Sequence, residues 1–122
     1  NSGSMLGKHL TIPVQLAQDA IGLTILLAAH RPSVSDFDVY YRTNTDDANG
    51  NIFDADWTLA EKESTIPADE NPRIYRDYRY LIGGKGGDLD AFNIFQLKIV
   101  FKSTNAAKVP TIKDLRAIAL AT

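Results

Sequence analysis

The densest run of hard oxygen ligands in this sequence is Asp46-Asp47-Ala48-Asn49-Gly50-Asn51-Ile52-Phe53-Asp54-Ala55-Asp56. A calcium ion takes roughly six to eight oxygens, so Asp46, Asp47, Asn49, Asn51, Asp54 and Asp56 are the candidate metal ligands. Counting an EF-hand loop from Asp47 places Asn49 and Asn51 correctly. It also puts Ile52 where the sharp turn requires glycine and Thr58 where a bidentate glutamate belongs, so the motif fails. The favoured reading is a solvated turn whose Asn and Asp side chains bond their own backbone, with no cofactor bound; an irregular calcium site is the alternative.

The second chemistry on offer is stacking. Tyr40, Trp57, Tyr75, Tyr78 and Tyr80 are spaced along segments of strand-like pattern, and aromatic rings presented near the loop ends of a β-domain can stack on sugar rings. These five are the candidate glycan-binding residues. The competing assignment, which is preferred, makes them cross-strand pairs and core edges.

The remaining reactive groups do not assemble into a known catalytic pattern. Gly83-Gly84-Lys85-Gly86-Gly87 has glycines and a lysine but lacks the spacing and the Ser or Thr of a phosphate loop, and reads as a strand connection. His9 and His30 are the only imidazoles, neither lies in an H-E-x-x-H helix, and no serine sits in a G-x-S-x-G elbow. Both read as surface or rim histidines. Acidic residues fall mostly in loops, where solvation explains them better than a facing catalytic pair. The chain is expected not to be an enzyme.

Something must position these groups, and the apolar pattern says what. Hydrophobic residues make up 44% of the 122, enough to form one core, and the charged 23% is balanced to a net −2 with no basic run. That disfavours nucleic acid as a partner. No cysteine is present, so packing alone must stabilise the fold, and the apolar stretch Ala20 to Ala29 is too short to span a bilayer as a helix. No membrane insertion is expected. The start Asn1-Ser2-Gly3-Ser4-Met5 reads as an expression-tag remnant outside the fold, leaving 6–122 as one domain excised from a longer protein.

Alternation over Leu10, Ile12, Val14 and Leu16 predicts an edge or first strand with those residues buried and Pro13 on the other face. Leu23 to His30 is nearly continuous in apolar residues; its length and the flanking Gly22 and Arg31-Pro32 favour a central strand over a short helix. Phe37, Val39 and Tyr41 alternate with polar neighbours. Asn44 to Asp56 is a loop, Trp57 to Ala60 a short strand, and Trp57 is expected to anchor the core beside that loop. Further strands are expected over Ile74 to Leu81, over Phe92 to Phe101, with Gln96, Lys98 and Lys102 on the outer side, and over Val109 to Leu120. In the last of these, Leu115, Ala117 and Ala119 alternate with Arg116, Ile118 and Leu120. About seven to eight strands without a long amphipathic helix predict an all-β fold, an antiparallel β-sandwich of jelly-roll type.

Four of these segments also carry a likeness. Asp36-Phe37-Asp38-Val39-Tyr40-Tyr41-Arg42, Phe53-Asp54-Ala55-Asp56-Trp57, Phe92 through Phe101 and the closing Val109-Pro110-Thr111-Ile112-Lys113-Asp114-Leu115-Arg116-Ala117-Ile118-Ala119-Leu120 together resemble a C-terminal domain of virion structural proteins of tailed, T4-like marine phages. The resemblance runs from Leu10 to Leu120, with the closing motif its most specific part. It implies a tail, baseplate or fibre-associated structural or attachment module located in the virion. Its partners would be other virion proteins or further copies of itself, and there are no catalytic residues to carry over. A module recognising a host surface glycan is the alternative function.

Overall fold

The structure, a computed structural model, describes residues 4–45, 51–83, 87, 89–105 and 107–121. Seven strands form among them: β1 (Ser4–Leu10), β2 (Val14–His30), β3 (Ser35–Asn44), β4 (Thr58–Leu59), β5 (Arg76–Gly83), β6 (Phe92–Ser103) and β7 (Thr111–Ala121). Every pairing is antiparallel. The order is β4-β3-β6-β2-β5, with β1 also on β6 and β7 also on β2. The protein is therefore all-β, built as one antiparallel sheet that curls into a half-barrel.

The long strand β2 makes the curl. Its first part runs beside β6, with Val14 opposite Phe95 and Ala20 opposite Phe92, and the register slips between Gln15 and Ala20. Its second part runs between β5 and β7, where Ile25 faces Tyr80 on one side and Ala117 on the other. A register slip lets a strand bend and twist, so one strand serves two halves of the sheet. A second tie forms where the chain leaves β4. The Ala60 N–H donates to the Val39 carbonyl at 2.8 Å, Lys62 bridges to Tyr80, and the Glu63 N–H donates to the Arg79 carbonyl at 2.8 Å.

Inside the curl lies one core. Leu23, Ile25, Leu27 and Ala29 from β2, Phe37 and Val39 from β3, Tyr78, Tyr80 and Ile82 from β5, and Phe92, Phe95, Leu97 and Ile99 from β6 are buried. The continuous apolar run in β2 follows from its place in the sheet: both edges of Leu23 to Ala29 are paired, so this is a central strand. Along β7, Leu115, Ala117 and Ala119 pack on the core while Arg116, Ile118 and Leu120 face out. An irregularity opposite Ala28 and Ala29 resets that alternation and turns Ile112 inward too.

Three expectations are corrected. Leu10, Ile12 and Val14 do not form a buried face; they are exposed, Ile12 by 81%. Pro13 splits that segment, with β1 ending at Leu10 and β2 beginning at Val14. Proline cannot donate to a ladder, and the chain changes partner there from one stretch of β6 to another. Ser4 and Met5, expected outside the fold, extend β1 and pair with Ser103 and Lys102. His30 is buried rather than at the rim. Its Nδ1 lies 3.0 Å from the Ile74 carbonyl, which only accepts, so that nitrogen carries the proton.

Two polar groups in this frame lead to measurable consequences. Tyr80 is buried with no hydrogen-bond partner for its hydroxyl among the described residues, and burial pushes that hydroxyl's pKa up. An unpaired buried hydroxyl costs about 1–3 kcal/mol, so Tyr80→Phe is expected to hold or raise stability, by up to about 1 kcal/mol. Urea denaturation measures this; a clear loss of stability would show that the hydroxyl is bonded in solution.

Asp69 is buried and accepts from Arg76 Nε and Nη2, both at 2.8 Å. Those hydrogen bonds from Arg76 hold its carboxyl below the ordinary value of 3.8. A depressed carboxylate pKa contributes stability that is complete above the unfolded-state pKa and disappears as pH falls through the lower folded-state value. Asp69→Asn is therefore expected to weaken the fold at neutral pH while flattening the loss of stability below about pH 4. Denaturant midpoints followed from pH 7 to pH 2 would disprove this if variant and parent kept parallel acid limbs.

Candidate functional site

The outward face of β3 and β6 gathers the chemistry-bearing residues. Register puts Tyr40 opposite Lys98 and Arg42 opposite Gln96. Side chains two residues apart on a strand share a face, so all four stand together. Trp57, just before β4, lies over this group. The Arg42 guanidinium is 4.3 Å from the Trp57 ring centroid and 5.4 Å from that of Phe53. Lys98 Nζ is 4.6 Å from the Trp57 centroid and 4.8 Å from that of Tyr40. The contacts run Phe53, Arg42, Trp57, Lys98, Tyr40, alternating aromatic and cation.

Gln96 fixes the ladder from below. It is buried, its Oε1 accepts from Arg42 Nε at 3.0 Å and Nη2 at 2.6 Å, and its Nε2 donates to the Thr11 carbonyl at 2.7 Å. Arg42 Nη1 reaches the Ala55 carbonyl at 3.4 Å. Partial burial, with Lys8 and Arg42 nearby, lowers the pKa of Lys98. Each cation over a ring contributes about 0.5–1 kcal/mol at exposed sites, and more where water is excluded. The arrangement is a cationic, aromatic surface beside the Asp38–Lys102 ion pair at 2.8 Å.

Of the five aromatics expected to bind glycan, the structure brings two together. Tyr40 and Trp57 share the ladder. Tyr78 and Tyr80 are 1% exposed within the core and present no face to a sugar; they point inward because β5 alternates, with Asp77, Arg79 and Leu81 on its outer side. Tyr75 stands elsewhere, edge-on to His30 at 6.2 Å with Lys113 5.6 Å above its ring. Trp57 does not anchor the core. The buried side chain beside that loop is Ile52, 3% exposed in the 3-10 turn Ile52–Asp54.

The acidic loop is only partly described. Asp46, Asp47 and Asn49 lie outside the described residues. Asn51 caps the 3-10 turn, its Oδ1 accepting from the Phe53 N–H at 2.9 Å, and its carbonyl accepts from Asn44 Nδ2 at 2.6 Å. That is the backbone-bonding role expected of a turn. Asp54 and Asp56 are exposed. Among the described residues no three His, Cys, Asp or Glu side chains group as metal ligands. Of the glycine cluster, Gly84, Lys85 and Gly86 lie outside the described residues.

Sequence reasoning missed Arg42, Gln96, Lys98 and Phe53 as a group. Arg42 follows Tyr40 at the same-face spacing, and Gln96 and Lys98 were legible as outward residues of their strand. The pairing register that joins them is a long-range property with no local signal.

Arg42→Ala is expected to cost about 1–2 kcal/mol, because it removes two ring contacts and strips the buried Gln96 oxygen of both its donors. Trp57 is the sole tryptophan, so its emission reports the loss directly as a red shift. Unchanged emission in the variant would rule the ladder out.

Comparison of the chain with protein-family models, with curated proteins and with solved structures returned no match. Fold and site together define an all-β protein that carries a ladder of alternating aromatic rings and cations on the outward face of β3 and β6.

Proposed function

We propose that this chain is a structural or attachment module of a phage virion, in the tail, baseplate or a fibre-associated component, acting through protein-protein contacts and not as an enzyme. One observation carries the reading. The segment Val109 to Leu120, the most specific part of the likeness to phage virion proteins, supplies a strand that pairs only with β2 among the described strands and shows Ile118 and Leu120 to solvent. Ile118 is 57% exposed and Leu120 49%, beside Leu81 at 49% on β5. A strand edge and an apolar face left uncovered are the features of a surface that docks. In its finer architecture the domain is read as a jelly-roll β-sandwich, with β4-β3-β6 and β5-β2-β7 as the two layers. No helix of the described chain is long and apolar enough to cross a membrane.

Deleting the domain from its parent virion protein is expected to leave particles with defective or missing tail structures in electron micrographs, and antibody against the domain is expected to label the tail. Normal tails without the domain would overturn the proposal.

A second reading has its own support. Tyr40 and Trp57 converge beside Arg42 and Lys98, the chemistry that would hold an acidic sugar. Their ring faces are already occupied by cations, so the contact-module reading is preferred. A glycan array probed with the parent domain and with Tyr40→Ala and Trp57→Ala separates the two: array binding lost in both variants would establish the sugar site.

A further inference from the structure

The outward face of β5, β2 and β7 repeats the same pattern on both flanking strands. Register aligns Leu81, Thr24 and Ile118 in one row across the sheet, Arg79, Leu26 and Arg116 in the next, then Asp77, Ala28 and Asp114. Beyond these, His30 stands opposite Thr111, with Tyr75 against its ring. An apolar row, a row with two arginines, a row with two aspartates and a row with a tyrosine thus follow one another. Asp77, Arg79, Asp114, Arg116, Leu81 and Ile118 are all exposed.

We propose that a second copy of this chain packs on this face, sheet against sheet, about a two-fold axis lying across the strands between the arginine and aspartate rows. The inference rests on the reading of the chain as a contact module and names its partner. Such an axis reverses strand direction and carries each row onto its mirror position. Arg79 then faces the partner's Asp77, and Arg116 faces the partner's Asp114. The same pairs repeat with the roles exchanged, and Leu81 meets the partner's Tyr75. A two-fold interface uses the same patch twice and must be self-complementary, and this patch is. Shifting the axis by one residue along the strand, onto the arginine or the aspartate row, would set arginine on arginine or aspartate on aspartate, so charge also selects the register.

Contacts within one chain do not exhaust these charges. Arg116 Nε lies 2.9 Å from Asp114, with the two side chains 73% and 49% exposed, and Arg79 is 4.0 Å from Glu63. Exposed pairs of this kind contribute little, and a guanidinium keeps further donors for a second carboxylate. A face three strands wide is at the small end of interface sizes, so the association is expected to be weak and further weakened by salt.

Sedimentation equilibrium of the domain up to about 1 mM tests the proposal, with circular dichroism as the check that exposed substitutions leave the fold intact. The parent is expected to dimerise. Arg79→Asp with Arg116→Asp, and separately Asp77→Arg with Asp114→Arg, are each expected to weaken self-association at least tenfold. Mixed one to one, the two variants should form a heterodimer, and the fourfold exchange should dimerise again. A parent that stays monomeric, row variants that associate as the parent does, or a mixture that does not pair would each overturn the inference. Failure here is separable from failure of the module reading. A monomeric domain whose deletion still damages tails removes only the pairing, whereas normal tails after deletion remove the module whatever the domain's self-association.

Discussion

Phe37→Ala is expected to lower folding stability by about 4 kcal/mol, the largest effect of any single truncation considered for this protein. Phe37 is 1% exposed on β3, and its ring meets Tyr78 of β5 edge-on, centroids 4.8 Å apart and planes at 73°. β3 and β5 are not neighbours in the sheet order. The contact therefore spans the interior of the curl and joins its two halves. Removing the ring forfeits its transfer free energy and leaves a cavity that paired strands on both sides cannot collapse to fill. A domain of this size has about 5–15 kcal/mol in total, so the loss should lower Tm by roughly 15 °C. Tyr78→Ala should behave similarly. The double variant is expected to fall short of the sum by about 1 kcal/mol, the share belonging to the ring pair. Ile12→Ala, at an 81% exposed position, is the control and should stay within about 0.5 kcal/mol of the parent. A Phe37→Ala loss below about 1 kcal/mol in urea denaturation would mean that the two halves are not packed through this ring.

Gly83→Ala is expected to cost roughly 3 kcal/mol, by strain rather than by lost burial. Gly83 ends β5 with φ of +70°, a conformation costing a residue with a side chain about 1–2 kcal/mol. A Cβ there would lie 2.5 Å from the Ile21 carbonyl oxygen and 3.1 Å from Gly22 Cα. Both are backbone atoms of β2, and the Ile21 carbonyl already accepts from the Leu89 N–H at 2.8 Å. Relief would require moving a strand paired on both edges, adding about 1–3 kcal/mol. Gly87→Ala, where a Cβ meets nothing within 4 Å, is expected to be nearly neutral. Equal melting temperatures for the two alanine variants would refute this account of Gly83.

Much of the fold is legible in the sequence. Phe37 and Val39, then Leu97 and Ile99, and along β7 Leu115, Ala117 and Ala119, turn inward as their two-residue period requires. The half-barrel was not legible. It depends on β2 continuing through Ala17-Gln18-Asp19, between the two apolar segments, and on a register slip no local pattern announces. Pro13, which an edge strand could tolerate, instead marks where one strand ends and the next changes partner.

The candidate site divides in the same way. Tyr40 and Trp57 were visible as aromatics, but alternation alone does not say which face of β5 is inside, so Tyr78 and Tyr80 were equally eligible until the sheet buried them. Asn51 was identifiable as a turn former from its residue type, because its hydrogen bond is to a backbone group two residues away. The ladder of Phe53, Arg42, Trp57, Lys98 and Tyr40 came from register between strands more than fifty positions apart, as when Arg42 meets Gln96.

By itself, then, the sequence determined the strand class, the inward residues of β3, β6 and β7 and the absence of any thiol chemistry. Each of these follows from side-chain type and from a period set within a few residues. Tertiary structure alone decided which strands pair, how the sheet closes on its core, which aromatics stay at the surface, and that arginine and aspartate rows line up across β5, β2 and β7. The physical reason is that pairing register is a choice among long-range alternatives with similar local energies, resolved only when the whole core is buried at once.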